Sequence, residues 1–160
     1  TGVLLNDEMD DFAAKPGVPN VYGLVGAEAN AIAPGKRPLS SMSPTFLEGP
    51  GGVAILGTPG GSRIITMVLL GALEAMAGAP PAAWVATPRY HHQYLPDRLQ
   101  HEPGAFAAPV RQGLAELGHR LEEVRPYGDM QAIWWDAPED AVAAASDPRG
   151  AGSARVAPSP

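Results

Sequence analysis

The segment Val53-Ala54-Ile55-Leu56-Gly57-Thr58-Pro59-Gly60-Gly61-Ser62-Arg63-Ile64-Ile65 carries an apolar strand pattern, a glycine turn and the start of an apolar helix. A Gly-Gly pair at such a junction leaves successive backbone N–H groups uncovered, at the positive end of the helix that follows. That arrangement predicts a pocket for an anion. Two chemistries use one: phosphate binding, and stabilisation of an oxyanion during acyl transfer. The phosphate reading is weak. A P-loop needs GxxxxGK[ST], no Lys-Ser or Lys-Thr follows these glycines, and GxGxxG is absent. The plain alternative is a tight strand-to-helix turn whose glycines serve only to adopt positive φ.

Downstream, Ile64, Ile65, Val68, Leu69, Ala72, Leu73 and Met76 recur at helical spacing, predicting a helix over 62–77. Ser62 is a candidate N-cap and Gly78 a candidate stop. The apolar face is wide, so the helix is expected to pack on a sheet. Upstream, Ser43–Leu47 and Val53–Leu56 read as two strands joined by Glu48-Gly49-Pro50-Gly51-Gly52, a hairpin signal. Val3–Leu5 reads as a short buried strand and 12–39 as mostly loop. Pro81–Ala86 reads as a short helix and 89–96 as an irregular aromatic-rich segment. Arg98–Glu102 reads as a strand and Pro109–Leu117 as a helix with Val110, Leu114 and Leu117 on one face. Leu121–Val124 and Met130–Trp135 read as strands. Ala141–Ala145 is ambiguous between strand and helix. The order predicts an α+β fold with helices layered on a mostly antiparallel sheet.

The 160 residues suffice for one domain with a core. The formal charge of −6 and the scattered basic residues, with no basic stripe, argue against nucleic-acid binding. Cysteine is absent, which excludes disulfides, thiolate metal sites and a Cys nucleophile. No apolar run reaches the length of a membrane span. No motif calls for a cofactor or a metal. The start at Thr1-Gly2-Val3 has no lead-in and suggests a chain cut from a longer one.

Two further clusters bear on the glycine turn. Asn6-Asp7-Glu8-Met9-Asp10-Asp11-Phe12 gathers carboxylates on one short loop. They could bind Ca²⁺ or an ammonium group, but the EF-hand spacing is not met, and taken alone the loop reads as a solvated acidic turn. Lys36-Arg37-Pro38-Leu39-Ser40-Ser41 places two adjacent hydroxyls near positive charge, which suits a carboxylate but equally makes a serine-rich turn. Together the clusters supply acceptors for an α-ammonium, donors for an α-carboxylate and an oxyanion pocket. That set fits an amino-acid substrate attacked at a side-chain carbonyl.

These motifs, in order, resemble the small subunit of γ-glutamyltranspeptidases, the N-terminal-nucleophile hydrolases that cleave glutathione and related γ-glutamyl amides. The matching runs are Leu4 to Phe12, Lys15 to Leu24, Asn30-Ala31, Pro38 to Thr45, Gly57 to Ile65, Pro88 to Gln93 and Ala145 to Arg149. The resemblance reaches to about Gly152. It implies the αββα sandwich of that class, here lacking its first strands, with 1–152 as a partial small-subunit domain and 153–160 as a frayed tail. It implies that Glu8 and Asp11 hold the substrate α-amino group and that Ser40 and Ser41 hold its α-carboxylate. Gly60 and Gly61 would form the oxyanion hole.

The family nucleophile is a threonine freed by self-cleavage at the small subunit's N-terminus. Here Gly-Val-Leu-Leu-Asn already stands at residues 2–6, so Thr1 aligns with an ordinary strand position and the nucleophile falls outside the chain. The large subunit, which supplies a substrate-binding arginine in the family, would be a separate partner. A periplasmic or extracellular location is implied by resemblance alone. Two other readings stay open. One is a relative that cleaves cephalosporin side chains or poly-γ-glutamate, against which Asp11 and the Ser40-Ser41 pair argue. The other is a non-catalytic remnant that docks on a partner. His91 and His92, adjacent on an extended segment, would point to opposite faces and read as structural. Ser146-Asp147-Pro148-Arg149 is expected to make a turn with an Asp–Arg contact, and Trp84, Trp134 and Trp135 are expected in the core or a subunit contact.

Overall fold

A computed structural model describes residues 2, 3 and 5–157. Thr1 therefore lies outside the described residues, as does Leu4. The chain divides into two units, Thr1–Met42 and Ser43–Pro160.

The first unit is loop built around two 3₁₀ turns, Glu8–Asp11 and Glu28–Asn30. Its order comes from isolated backbone bonds, among them the Ala13 N–H to the Asn30 carbonyl at 2.9 Å and the Gly17 N–H to the Gly26 carbonyl at 2.8 Å, and from side chains. The Asn30 side-chain amide donates to the Asp11 carbonyl at 2.7 Å, and its oxygen accepts from the Leu39 N–H at 3.1 Å. Asn20 Oδ1 accepts from the N–H groups of Tyr22 and Leu24, both at 3.0 Å. An Asx-type turn of this kind is what Asn favours over regular structure. Of the strand expected at Val3–Leu5, Leu4 lies outside the described residues, and Val3 and Leu5 are exposed and outside any strand. An extended segment gains little until a second strand satisfies its N–H and C=O groups.

The second unit holds β1 (Thr45–Gly49), β2 (Gly52–Gly57), α1 (Ile64–Met76), α2 (Pro81–Ala86), β3 (Tyr90–Gln93), β4 (Arg98–His101), α3 (Ala108–Glu116), β5 (Leu121–Glu123), β6 (Gln131–Asp136) and β7 (Ala141–Ser146). A four-stranded sheet runs β1-β2-β6-β7, antiparallel throughout. The predicted hairpin is its β1–β2 edge, and the ambiguous 141–145 segment is strand β7. The rest of the sheet chemistry departs from a single antiparallel sheet. Residues 90–93, expected to be irregular, form β3 in a separate sheet ordered β3-β4-β5, with β4 and β5 parallel. Tyr-His-His-Gln lacks apolar alternation, so its strand character comes from tertiary anchoring.

The core lies between one sheet face and helices α1 and α2. Ala54, Leu56 and Ala132 from the sheet meet Ile64, Met67 and Val68 from α1 and Trp84 and Val85 from α2, with Met130 at the sheet's end. Trp84 packs edge-on against Trp134, ring centres 6.4 Å apart, and its indole N–H donates to the Ala79 carbonyl at 2.7 Å. Gly71 lets the sheet close on α1: a Cβ there would stand 3.1 Å from Met130 Sδ and 3.3 Å from a Leu56 methyl.

Two expectations need correction. The wide apolar face of α1 is only half buried. Ile65, Leu69, Leu73 and Met76 are exposed because, at 100° per residue, they lie away from the stripe of Ile64, Met67, Val68 and Gly71. No residue of α3 is buried, and Val110 and Leu117 are exposed. Ser62 does not cap α1. It sits inside a 3₁₀ turn, Gly61–Arg63, that leads into the helix and whose Arg63 N–H bonds back to the Gly60 carbonyl. Gly78 does terminate the helix region, with φ of +78°.

The opposite face of the four-stranded sheet is also apolar. Register sets Phe46 beside Ile55, Ile55 beside Ile133, and Val53 beside Trp135, which in turn pairs with Val142. Of these, Phe46, Ile133, Trp135 and Val142 are exposed.

Candidate active site

In the first unit, Asp11 ends the 3₁₀ turn Glu8–Asp11, and Ser41 is brought to it from thirty residues along the chain. The Ser41 hydroxyl donates to Asp11 Oδ1 at 2.5 Å. Asn30 sets this contact, since it bonds both the Asp11 carbonyl and the Leu39 N–H two residues before Ser41. Ser40 turns its hydroxyl to the Met42 N–H at 3.3 Å, and Glu8 lies exposed on the same turn as Asp11. Lys36 is held by the Ala31 carbonyl at 2.9 Å. The result is a carboxylate acceptor touching a hydroxyl, at an exposed site. An ammonium asks for acceptors and a carboxylate for donors. Neighbouring groups of both kinds match a single carbon that bears an amine and a carboxylate.

The second unit holds the glycine turn. Gly60 has φ of +147° and Gly61 φ of +57°, both in the region that L side chains rarely adopt. A Cβ on Gly60 would stand 2.5 Å from the Met67 methyl, and Met67 is buried. Two bonds flank the glycines. The Thr58 hydroxyl donates to the Pro59 carbonyl at 2.9 Å, and the Arg63 N–H donates to the Gly60 carbonyl at 3.2 Å.

Behind the turn lies a buried charge network that the motifs did not reveal. Arg89, only 2% exposed, pairs with Asp147 Oδ2 and also donates to the Tyr127 carbonyl. Arg149 spans Glu102 at 2.5 Å and Asp147 Oδ1 at 3.1 Å. Glu102 accepts from the N–H groups of Arg89 at 3.1 Å and Tyr127 at 2.9 Å. Asp147 accepts from the N–H groups of Met130 and Arg149, each at 2.9 Å. Burial pushes the Asp147 carboxyl up, but the Met130 and Arg149 hydrogen bonds and the Arg89 guanidinium outweigh it, and its pKa ends below the usual carboxylate range. Burial pulls Arg149 down, and its bonds to Glu102 and Asp147 reverse this, so its pKa ends raised. The Asp147–Arg149 contact was expected from the sequence. A lone Arg between Pro88 and Tyr90 carries no sign of burial in the sequence, and the place of Arg89 in the network is visible only in the structure.

His91 and His92 do face opposite ways. His91 is buried against the Thr66 hydroxyl at 3.0 Å and Gln93 at 2.8 Å, while His92 meets Asp97 at 2.9 Å in solvent. Trp84 and Trp134 belong to the core, and Trp135 lies on the open sheet face.

Comparison with known proteins bears on the family of the chain. The Gamma-glutamyltranspeptidase family profile matches residues 1–157. The chain is 48% identical over 151 residues to the glutathione hydrolase proenzyme of Escherichia coli, covering 93% of this chain and 26% of that protein. It is 48% identical over 157 residues to the Pseudomonas aeruginosa glutathione hydrolase proenzyme, covering 94% of this chain and 28% of that one. The chain thus spans about a quarter of the length of these curated relatives. Among solved structures, Gamma-glutamyltranspeptidase from Pseudomonas nitroreducens complexed with L-DON superposes with a TM-score of 0.82 at 46% identity, covering 98% of this chain and 83% of that one. The Bacillus anthracis transpeptidase enzyme CapD shares the fold, with a TM-score of 0.68 at 22% identity, covering 98% of this chain and 90% of that one. On the match over residues 1–157 and these identities, the chain belongs to the γ-glutamyltranspeptidase family, a family of N-terminal-nucleophile hydrolase proenzymes.

Proposed function

We propose that this chain is the substrate-gripping and oxyanion-stabilising part of a γ-glutamyl transferase and glutathione hydrolase. The observation that carries the reading is the Ser41 hydroxyl against the Asp11 carboxylate, which sets an acceptor for an ammonium beside the hydroxyls for a carboxylate, the Ser41 proton turning from Asp11 to the substrate as it binds. Asp11 and Glu8 take the α-ammonium, and Ser40 and Ser41 take the α-carboxylate. The γ-carbonyl is attacked by a threonine hydroxyl, with Gly60 and Gly61 donating N–H groups to the oxyanion. Collapse of the tetrahedral adduct expels the amine and leaves a γ-glutamyl ester on the threonine. Water or an acceptor amine then releases the glutamyl group. The nucleophile and a large subunit come from outside this chain, and a periplasmic or extracellular setting follows the family.

The same proposal accounts for the open sheet. Phe46, Ile133, Trp135 and Val142 form an apolar face opposite the helix-covered one, as expected of a sheet that stacks on a second sheet. The αββα sandwich is completed in this way. Residues 1–152 then form a partial small-subunit domain, and 153–160 its tail.

The complete gene product is expected to hydrolyse γ-glutamyl-p-nitroanilide, and the isolated 160-residue chain is not. Activity of the isolated chain, abolished by Thr1→Ala, would instead assign the nucleophile to Thr1.

Asp11→Asn in the complete enzyme should raise KM for γ-glutamyl substrates by roughly tenfold to a hundredfold. That is the weight of one charge-assisted hydrogen bond of about 1.5–3 kcal/mol. The effect on kcat should be much smaller, because the ammonium is bound alike in ground and transition states. Steady-state kinetics check this, and an unchanged KM would remove Asp11 from the head-group site.

A further inference from the structure

We propose that the Thr58 hydroxyl is a positioning residue for the oxyanion hole, fixing the direction of the Gly60 N–H through the peptide plane it shares with Pro59. The inference rests on the oxyanion role of Gly60 and Gly61 proposed above. A peptide unit is planar, so holding its carbonyl holds its N–H on the opposite side. Thr58 Oγ1 donates to the Pro59 carbonyl at 2.9 Å, and the N–H in that plane belongs to Gly60. The next plane is held in the same way. The Gly60 carbonyl accepts from the Arg63 N–H at 3.2 Å, and its N–H belongs to Gly61. Glycines at φ of +147° and +57° have no side chain to restrict them, so these two bonds carry the restraint.

Both restraints are tied to one loop. The Thr58 hydroxyl has a single proton, spent on Pro59, and its free lone pair accepts from the Asp129 N–H at 3.3 Å. Thr58 is buried, so its rotation is not traded for water. On the other side, the Arg63 guanidinium lies 4.4 Å from the centre of the Tyr127 ring and donates to Gln100 at 2.5 Å. Gly128, between Tyr127 and Asp129, has no room for a Cβ, which would meet Arg89 and, at 2.5 Å, Met67 Sδ. Met67 is the residue whose methyl packs under Gly60. The 127–129 loop is itself clamped by Arg89 at the Tyr127 carbonyl and by Glu102 at the Tyr127 N–H. A rigid path therefore leads from the buried charge network to the two amides that would receive the oxyanion.

The test uses the complete enzyme and three readouts: steady-state kinetics, affinity for a γ-boronic acid analogue of glutamate that forms a tetrahedral anion, and affinity for glutamate itself. Thr58→Val keeps the shape and deletes both bonds. It is expected to lower kcat by about tenfold to a hundredfold, the scale of a misplaced catalytic donor. Boronate affinity should fall in parallel, with KM and glutamate affinity within about threefold of wild type. Thr58→Ser should restore all three, since it keeps the hydroxyl. If the valine variant fails to assemble, Thr58→Ala carries the same expectation. Unchanged kcat and boronate affinity in both variants would overturn the proposal, as would equal losses in glutamate and boronate affinity. A Gly60→Val enzyme with normal kcat would instead overturn the oxyanion role on which it stands.

Discussion

Asp147→Asn is expected to destabilise the folded protein by about 3–5 kcal/mol, the cost of leaving one partner of a buried ion pair without its counter-charge. Asp147 Oδ2 receives Arg89 and the Met130 N–H, and Oδ1 receives the N–H and side chain of Arg149. An asparagine can present only one oxygen. Its NH₂ would face donors on the other side, and Arg89, 2% exposed, would keep its charge with no carboxylate beside it. Against a total stability on the order of 5–15 kcal/mol, that loss is large. The pH dependence follows from the direction of the shift. The folded-state pKa of Asp147 is lowered from 3.8, so its contribution is fully present above about pH 4 and is lost as pH falls through the folded value. Urea unfolding of the assembled wild type and variant at pH 7 checks the magnitude. Repeating it towards pH 3 checks that the variant has a flatter acid limb. Adding Arg89→Met to Asp147→Asn should cost less than the two single changes summed, since the orphaned charge is then gone. Equal midpoints for wild type and Asp147→Asn would refute the role of the network.

The second large effect is catalytic. Gly60→Val in the complete enzyme is expected to reduce kcat by at least about 10²–10³, equivalent to about 2.7–4 kcal/mol of transition-state stabilisation. Backbone donors cannot be removed by truncation, so a substitution must act by displacing them. At φ of +147° a β-branched residue is strained, and its Cβ would press on the Met67 methyl at 2.5 Å. Met67 can yield at its flexible end, so folding should survive better than geometry does. Glutamate affinity should hold, because its head group is proposed to bind Asp11 and Ser41 and not the glycine turn. Kinetics with γ-glutamyl-p-nitroanilide and calorimetric binding of glutamate separate the two. A near-normal kcat would mean that Gly60 is only a turn residue.

Much of the second unit was legible in the sequence because its rules are local. Val53–Leu56 is a short apolar run beside glycines, Glu48 to Gly52 have hairpin chemistry, and Gly78 stops a helix. Strand β3 was not legible. Tyr90-His91-His92-Gln93 has no apolar period, and the segment is held extended by its ladder with β4, with His91 bonded to Thr66 twenty-five residues away. The helix α1 shows the same limit from the other side. Its periodicity was correct, but periodicity cannot say which half of a wide apolar face is covered, and Ile65, Leu69, Leu73 and Met76 are open.

For the site, the residue types were in the sequence and their relation was not. Acids at Glu8 and Asp11, hydroxyls at Ser40 and Ser41, and the glycines at 60 and 61 are all local features, and their order carries the family. The contact of Ser41 with Asp11 depends on Asn30, which ties two loops by side-chain hydrogen bonds that no periodic pattern announces. The Pro59 carbonyl beside the glycines is held by a threonine hydroxyl, which itself accepts from an amide seventy-one residues further along the chain. By itself, then, the sequence determined the family, the strand–turn–helix frame and the chemical inventory, because these follow from short-range periodicity and residue type. Only the tertiary structure decided that Arg89, Glu102, Asp147 and Arg149 are one buried network, and which groups it holds in place, because burial and ion pairing are set by segments distant in the chain.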